Sequence, residues 1–165
     1  MREPDNAELI IPPNTLKAKL GVGPGGLDPE LIKRAEQAME GLKQEFSDWL
    51  TKDISNLAGA FVAFAKDTGN GNAGVLFRSA HDLKGQATTF EYPLIARVAA
   101  SLAKLMDGVH TREAAPLPLV EAHVDAIHVI HRDKIKDVSD LTALTLVEAL
   151  ESRVVKALAR AGQKN

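Results

Sequence analysis

Cysteine is absent from this chain, which rules out disulfides, thiolate metal sites and a thiol nucleophile. Aromatic residues make up only 4%. With alanine and leucine plentiful, that balance favours helix over sheet. Charge of either sign is not in excess: the formal net charge is −2, which gives no electrostatic case for binding nucleic acid or an anionic membrane. No apolar run approaches the roughly 20 residues needed to cross a bilayer. The first residues, MREPDNAELIIPPN, lack the continuous apolar stretch of a signal peptide. A soluble, cytoplasmic protein is therefore the expectation.

What is present is an ordinary globular composition, 45% hydrophobic and 25% charged over 165 residues, enough for one domain with a real core. Five of the eight prolines lie in the first 29 residues, and the others are Pro93, Pro116 and Pro118. Residues 1–27, with "PP" and "GVGPGG", read as a loosely ordered arm with a short turn near Thr15–Leu20. Residues 28–165 read as the folded part.

Asp28-Pro29 predicts a helix start, an N-cap followed by proline in the first turn. From there Leu31, Ala35, Ala38, Leu42, Phe46, Trp49, Leu57, Phe61 and Phe64 recur in helical steps, with Asp53 the one miss. The pattern fits one helix to about Asp67, or two broken near Ser47. "TGNGNAG" at 68–74 is a turn, with Asn72 expected to cap a helix running to about Thr89. Pro93 opens the next, which ends at Gly108, a residue suited to a helix stop. After the "TREAAPLP" loop come helices over about 117–134 and, capped by Ser139-Asp140, about 141–161, the latter with Ala143, Val147, Leu150, Val154, Ala157 and Ala161 in register. No alternating strand pattern occurs. The expected fold is all-α, an antiparallel four-helix bundle with an additional C-terminal helix and an irregular N-terminal arm.

The stretch "SAHDLKGQATTF" at 79–90 concentrates the chemistry. On a helical wheel Leu76, Ala80, Leu83, Ala87 and Phe90 share one face, while His81 lies roughly 140° from its centre. Around His81 on the outer face fall Phe77, Lys84, Gly85 and Thr88. An exposed histidine, or a lysine three residues after it, is ordinary. Gly85 is not, because a glycine inside a helix costs about 1 kcal/mol relative to alanine. Close approach by another molecule is its commonest reason. A neutral imidazole nitrogen is a nucleophile near neutral pH, and a lysine beside it can offset the charge of an anionic group.

These residues carry a resemblance. "AHDLKGQATTF" is similar to the signature of histidine-phosphotransfer (HPt) domains, H-x-[LI]-[KR]-G-x-[AS/G], matched here by His81, Leu83, Lys84, Gly85 and Ala87. "FEYPLIARVAASLAKL" resembles the helix that follows in the family, and the likeness spans about residues 30–135. The resemblance implies a bundle that passes a phosphoryl group between receiver domains of response regulators or hybrid histidine kinases. His81 would be the phosphoacceptor, on Nε2. Lys84 would stabilise the phosphoryl group and Gly85 would leave clearance for the partner. Phe77 and Thr88, placed by the wheel and not by the motif, join Arg78 and Asp82 as expected docking surface. No cofactor is expected on this chain, because in the family the receiver supplies the aspartate and the Mg²⁺; the chain would then be a phosphohistidine carrier and not an enzyme. Many family members have glycine ten residues after the histidine, where this chain has Glu91.

The other histidines suggest less. His123, His128 and His131 share a helix, and Asp125-x-x-His128 faintly resembles the carboxylate–histidine spacing of di-iron bundles, but the second such motif and the glutamates from other helices are missing. His131 aligns with Val120, Val124 and Ile127, which places it in the core or at its edge. His110 is expected to be exposed. Glu148 and Glu151 read as a solvated face. "GVGPGG" follows no strand and is no phosphate cradle, and nothing resembles an ATP-binding element or a serine–histidine–acid triad. The competing reading is a helical interaction module that binds receivers or other partners without phosphotransfer.

Overall fold

The computed structural model describes residues 28–162; the expected arm over 1–27 lies outside them. The described residues form five α-helices and a single 3-10 turn, with no strand. Helix α1 spans Pro29–Lys66. The Asp28 carboxylate accepts the Glu30 N–H at 3.0 Å, and Pro29 supplies a helical φ where no N–H is needed. The chain divides into two compact units between Lys43 and Gln44, within α1. In the first, Leu31, Ile32, Met39 and Leu42 are exposed.

Within the second unit, α1 is unbroken at Ser47, whose carbonyl accepts the Thr51 hydroxyl at 2.8 Å. Its buried stripe is Leu50, Ile54, Leu57, Ala60 and Phe64. This corrects the sequence reading, which ran the stripe through Trp49 and Asp53. Both registers keep helical time, but burying the Asp53 carboxylate unpaired would cost more than exposing Trp49.

Helix α1 ends in a turn held by Asp67, whose carboxylate accepts the Gly69 N–H at 2.9 Å and the Asn70 amide. Asn70 and Gly71 are both left-handed, at φ 51° and 80°. Helix α2 spans Asn72–Thr89 and its cap is Gly71. Asn72 is therefore not the N-cap expected. Its side chain turns back instead and donates to the Asp67 carbonyl at 2.8 Å and, at 3.4 Å, to the Ala63 carbonyl, which also accepts the Asp67 N–H at 3.0 Å, so it ties the turn to the end of α1.

Helix α3, Pro93–Gly108, buries residues on most of its circumference, from Leu94 and Ile95 through Val98, Leu102, Leu105 and Met106. The helix ends at Gly108 as expected, and the chain leaves it through an extended Val109. A Cβ on Gly108 would lie 2.8 Å from the Leu158 methyl carbons, so the glycine gives that side chain room. Helix α4, Leu117–Arg132, follows the 3-10 turn Arg112–Ala114. Helix α5, Leu141–Gly162, starts where the Asp140 carboxylate accepts the Ala143 N–H at 2.9 Å, and it buries Ala143, Val147, Leu150 and Val154.

Within the second unit Phe46 of α1 stacks at 5.2 Å on Phe90, just past the end of α2, and Ala63 near the end of α1 meets Asn72 at the start of α2. The two helices are therefore antiparallel. Thr51 of α1 reaches His131 of α4 at 3.3 Å, and α3 packs on both α2 and α4. That closes a ring of four helices, with α5 laid against α3 and α4. The side chains of Arg97 and Glu151 join α3 to α5 through two hydrogen bonds of 3.0 and 2.7 Å. Glu151 is thus a cross-helix partner and not part of a purely solvated face.

Candidate functional site

Helix α2 turns Ala73, Leu76, Ala80, Leu83 and Ala87 into the core, which fixes what its other side presents. His81 lies on that outer side with 65% of its side chain exposed. Its Nδ1 is 3.7 Å from the Asp82 carboxylate, and the Phe77 ring lies 6.1 Å away, centroid to centroid. Lys84, Gly85 and Thr88 are exposed one and two turns further along, as is Arg78 before it. A Cβ built on Gly85 meets nothing within 4 Å, so no neighbour within the described chain requires the glycine. The helix around it is tied by side-chain bonds: the Thr88 hydroxyl donates to the Lys84 carbonyl at 3.0 Å, and Thr89 to the Gly85 carbonyl at 3.3 Å.

Two neighbours of this face were not read from the sequence. The Arg112 guanidinium stacks 4.0 Å over the Phe77 ring. One of its amino groups donates to Asp107 at 3.0 Å, while its buried Nε has no partner among the described residues. A lone arginine in a loop carries no periodic signal, so nothing in the sequence pointed to it. On the opposite flank, Asp53 of α1 faces Asp82 and Gln86. Burial raises the pKa of the Asp53 carboxyl and Asp82 adds to this, against the opposing pull of Lys52 and Gln86.

The chain ends α2 in a tight link. Glu91 is left-handed at φ 61°, the Tyr92 N–H donates to the Ala87 carbonyl at 2.9 Å, and the Glu91 N–H reaches the Thr88 carbonyl at 3.4 Å. This is the Schellman arrangement, in which glycine is the usual left-handed residue. Its geometry is therefore kept here without glycine.

The remaining histidines are elsewhere. His131 sits half-buried at the core edge, 6.0 Å from the Tyr92 ring, and burial and His128 both lower its pKa. His123 is the fully buried one. Its Nδ1–H donates to the Leu119 carbonyl at 2.7 Å, and Nε2 accepts from the Ser101 hydroxyl at 3.0 Å. Burial lowers its pKa, against the opposing effect of the Leu119 bond. The spacing Val120–His123–Ile127–Ile130 carried that signal. His110 and His128 are exposed. Among the described residues no group of three or more His, Asp or Glu is placed to hold a metal ion, and no helix is long and apolar enough to cross a membrane.

Comparison with known proteins adds one finding: the family model described as "Hpt domain" matches residues 41–152. The match begins in α1, contains His81 and ends within α5. No curated protein and no solved structure matches the chain.

Proposed function

The chain belongs to the Hpt domain family, and from that membership we propose that His81 accepts a phosphoryl group from a receiver-domain aspartate and passes it to a second receiver. The observation that carries this reading is the exposed imidazole of His81 beside the open surface at Gly85, on the side of α2 turned away from the core.

The step is an in-line displacement. The Nε2 lone pair of a neutral His81 forms a bond to phosphorus while the acyl phosphate P–O bond breaks, and the aspartate leaves with the electron pair. The imidazole proton stays on Nδ1, on the side of the Asp82 carboxylate 3.7 Å away. Transfer of this kind is mostly positioning and charge stabilisation. The partner contributes the aspartate and the Mg²⁺ that neutralises charge on the moving group. This chain contributes a nucleophile held by a rigid helix, the Lys84 ammonium one turn on as counter-charge, and the bare surface at Gly85, which lets the receiver approach. Onward transfer is the reverse step with a different aspartate. The chain is then a carrier, with catalysis supplied by each partner in turn.

The test is to mix the protein with a ³²P-labelled receiver and Mg²⁺ and to follow acid-labile label. Label should appear on the wild-type chain and be lost in His81→Gln. Binding of the receiver without transfer would instead support an interaction module.

A further inference from the structure

Seven aromatic residues occur in the whole chain, and three of them gather at one exposed edge of the bundle. Phe46 stacks on Phe90 at 5.2 Å and meets Trp49 at 5.6 Å. Phe46 and Phe90 are half-buried, whereas Trp49 is 53% exposed. A large ring left in water on a rigid base, beside two other rings, is the kind of residue that anchors interfaces.

Its position relative to His81 follows from the helix geometry. Helices α1 and α2 are antiparallel, Asp53 faces Asp82 and Gln86, and Phe46 faces Phe90. Trp49 therefore stands about level with Thr88, some 10 Å along the axis from His81, and one helix spacing of about 8–10 Å to the side. The diagonal is about 14 Å. A partner that delivers an aspartyl phosphate to His81 Nε2 covers about 800 Å² on this chain, a disc of about 16 Å radius. Trp49 falls inside that disc, at its rim on the α1 side, and the acidic Asp53 and Asp82 lie between it and the nucleophile.

We propose that Trp49, backed by Phe46 and Phe90, is the anchor on which apolar side chains beside the receiver's phospho-aspartate seat, which makes it a specificity-determining residue for transfer at His81. This rests on the phosphotransfer reading above. Trp49 does not touch the reacting atoms. It acts on the encounter and on the lifetime of the complex, so its effect belongs in the receiver concentration that half-saturates transfer and not in the limiting rate.

Two donors separate docking from chemistry. Phosphoramidate is small and needs no docking surface: its phosphoryl group moves to His81 Nε2 and ammonia leaves. A ³²P-labelled receiver that charges the wild-type chain needs both. Trp49→Ala should take label from phosphoramidate at the wild-type rate while raising the half-saturating receiver concentration at least about tenfold, and Trp49→Phe should fall between. Because Trp49 is exposed, truncation leaves no core cavity, and the phosphoramidate reaction itself reports a folded site. Equal half-saturation for Trp49→Ala and wild type overturns the proposal. So does unchanged transfer accompanied by loss of self-association in sedimentation, which would assign the edge to a second copy of this chain. If the wild-type chain takes label from phosphoramidate but from no receiver tried, the phosphotransfer reading falls and this proposal falls with it.

Discussion

The Tyr92 N–H donates to the Ala87 carbonyl at 2.9 Å, and this bond closes α2 over Glu91, a left-handed residue with a full side chain. An L-residue in that conformation costs roughly 1–2 kcal/mol. Glycine removes the cost but makes the unfolded chain freer. The balance predicts that Glu91→Gly stabilises the fold by about 0.5–1 kcal/mol, raising Tm by about 1–4 °C. Thermal unfolding of the variant measures it, and a lower Tm would show that the Glu91 side chain contributes more than its strain costs.

Gly85 separates stability from function. Its Cβ position is open, so Gly85→Ala should gain up to about 1 kcal/mol of helix propensity. Transfer from a phosphorylated receiver should nevertheless slow, and more so with the larger Gly85→Leu. Parallel melting curves and transfer rates check the pair of effects. Alanine that stabilises without slowing transfer would mean that the receiver needs no clearance there.

The buried His123 makes stability depend on pH. Its folded pKa lies below the ordinary value of 6.5, so the native state holds its imidazole neutral while the unfolded chain takes up a proton. Stability is therefore complete above about pH 6.5 and is lost as pH falls below it, by at most about 1.4 kcal/mol per unit for one proton. His131, also lowered, acts in the same direction. Urea unfolding between pH 7.5 and 5.5 should show the decline, and His123→Gln should flatten part of it. Stability that rises toward acid would contradict the buried neutral assignment.

Arg97 and Glu151 form a bidentate but half-exposed pair. Solvent screening limits such a pair, so a double-mutant cycle with Arg97→Ala and Glu151→Ala should return a coupling of about 0.5–1 kcal/mol. A coupling near zero would leave the docking of α5 to its apolar face alone.

How much of this was legible in the sequence varies by element. On α2 the inner face of Leu76, Ala80, Leu83 and Ala87 and the outer face of His81, Lys84 and Gly85 followed from the wheel, because 18 residues hold one register throughout. The caps at Asp28 and Asp140 were equally plain, since each acts on residues two or three further on. What was lost depends on distant partners. The choice between Trp49 and Leu50 on α1 was set by which register could bury carbon and keep Asp53 out of the core, at its half-buried edge. Gly108 is explained by Leu158, fifty residues away, and the Arg112–Phe77 stack joins a loop to a helix with no spacing rule between them. His123 was within reach, but its neighbour His131 fitted the apolar register about as well. Glu91 showed the converse, since the departure from a family habit was visible while its left-handed backbone was not.

If the chain is a phosphorelay carrier, His81 is the residue that holds the phosphoryl group. The most direct measurement is mapping of the label by mass spectrometry under neutral conditions, after incubation with a phosphorylated receiver and Mg²⁺. One acid-labile phosphoryl group is expected, located on His81 and absent from His81→Gln. Label that persists in His81→Gln, or that maps to another residue, would contradict it.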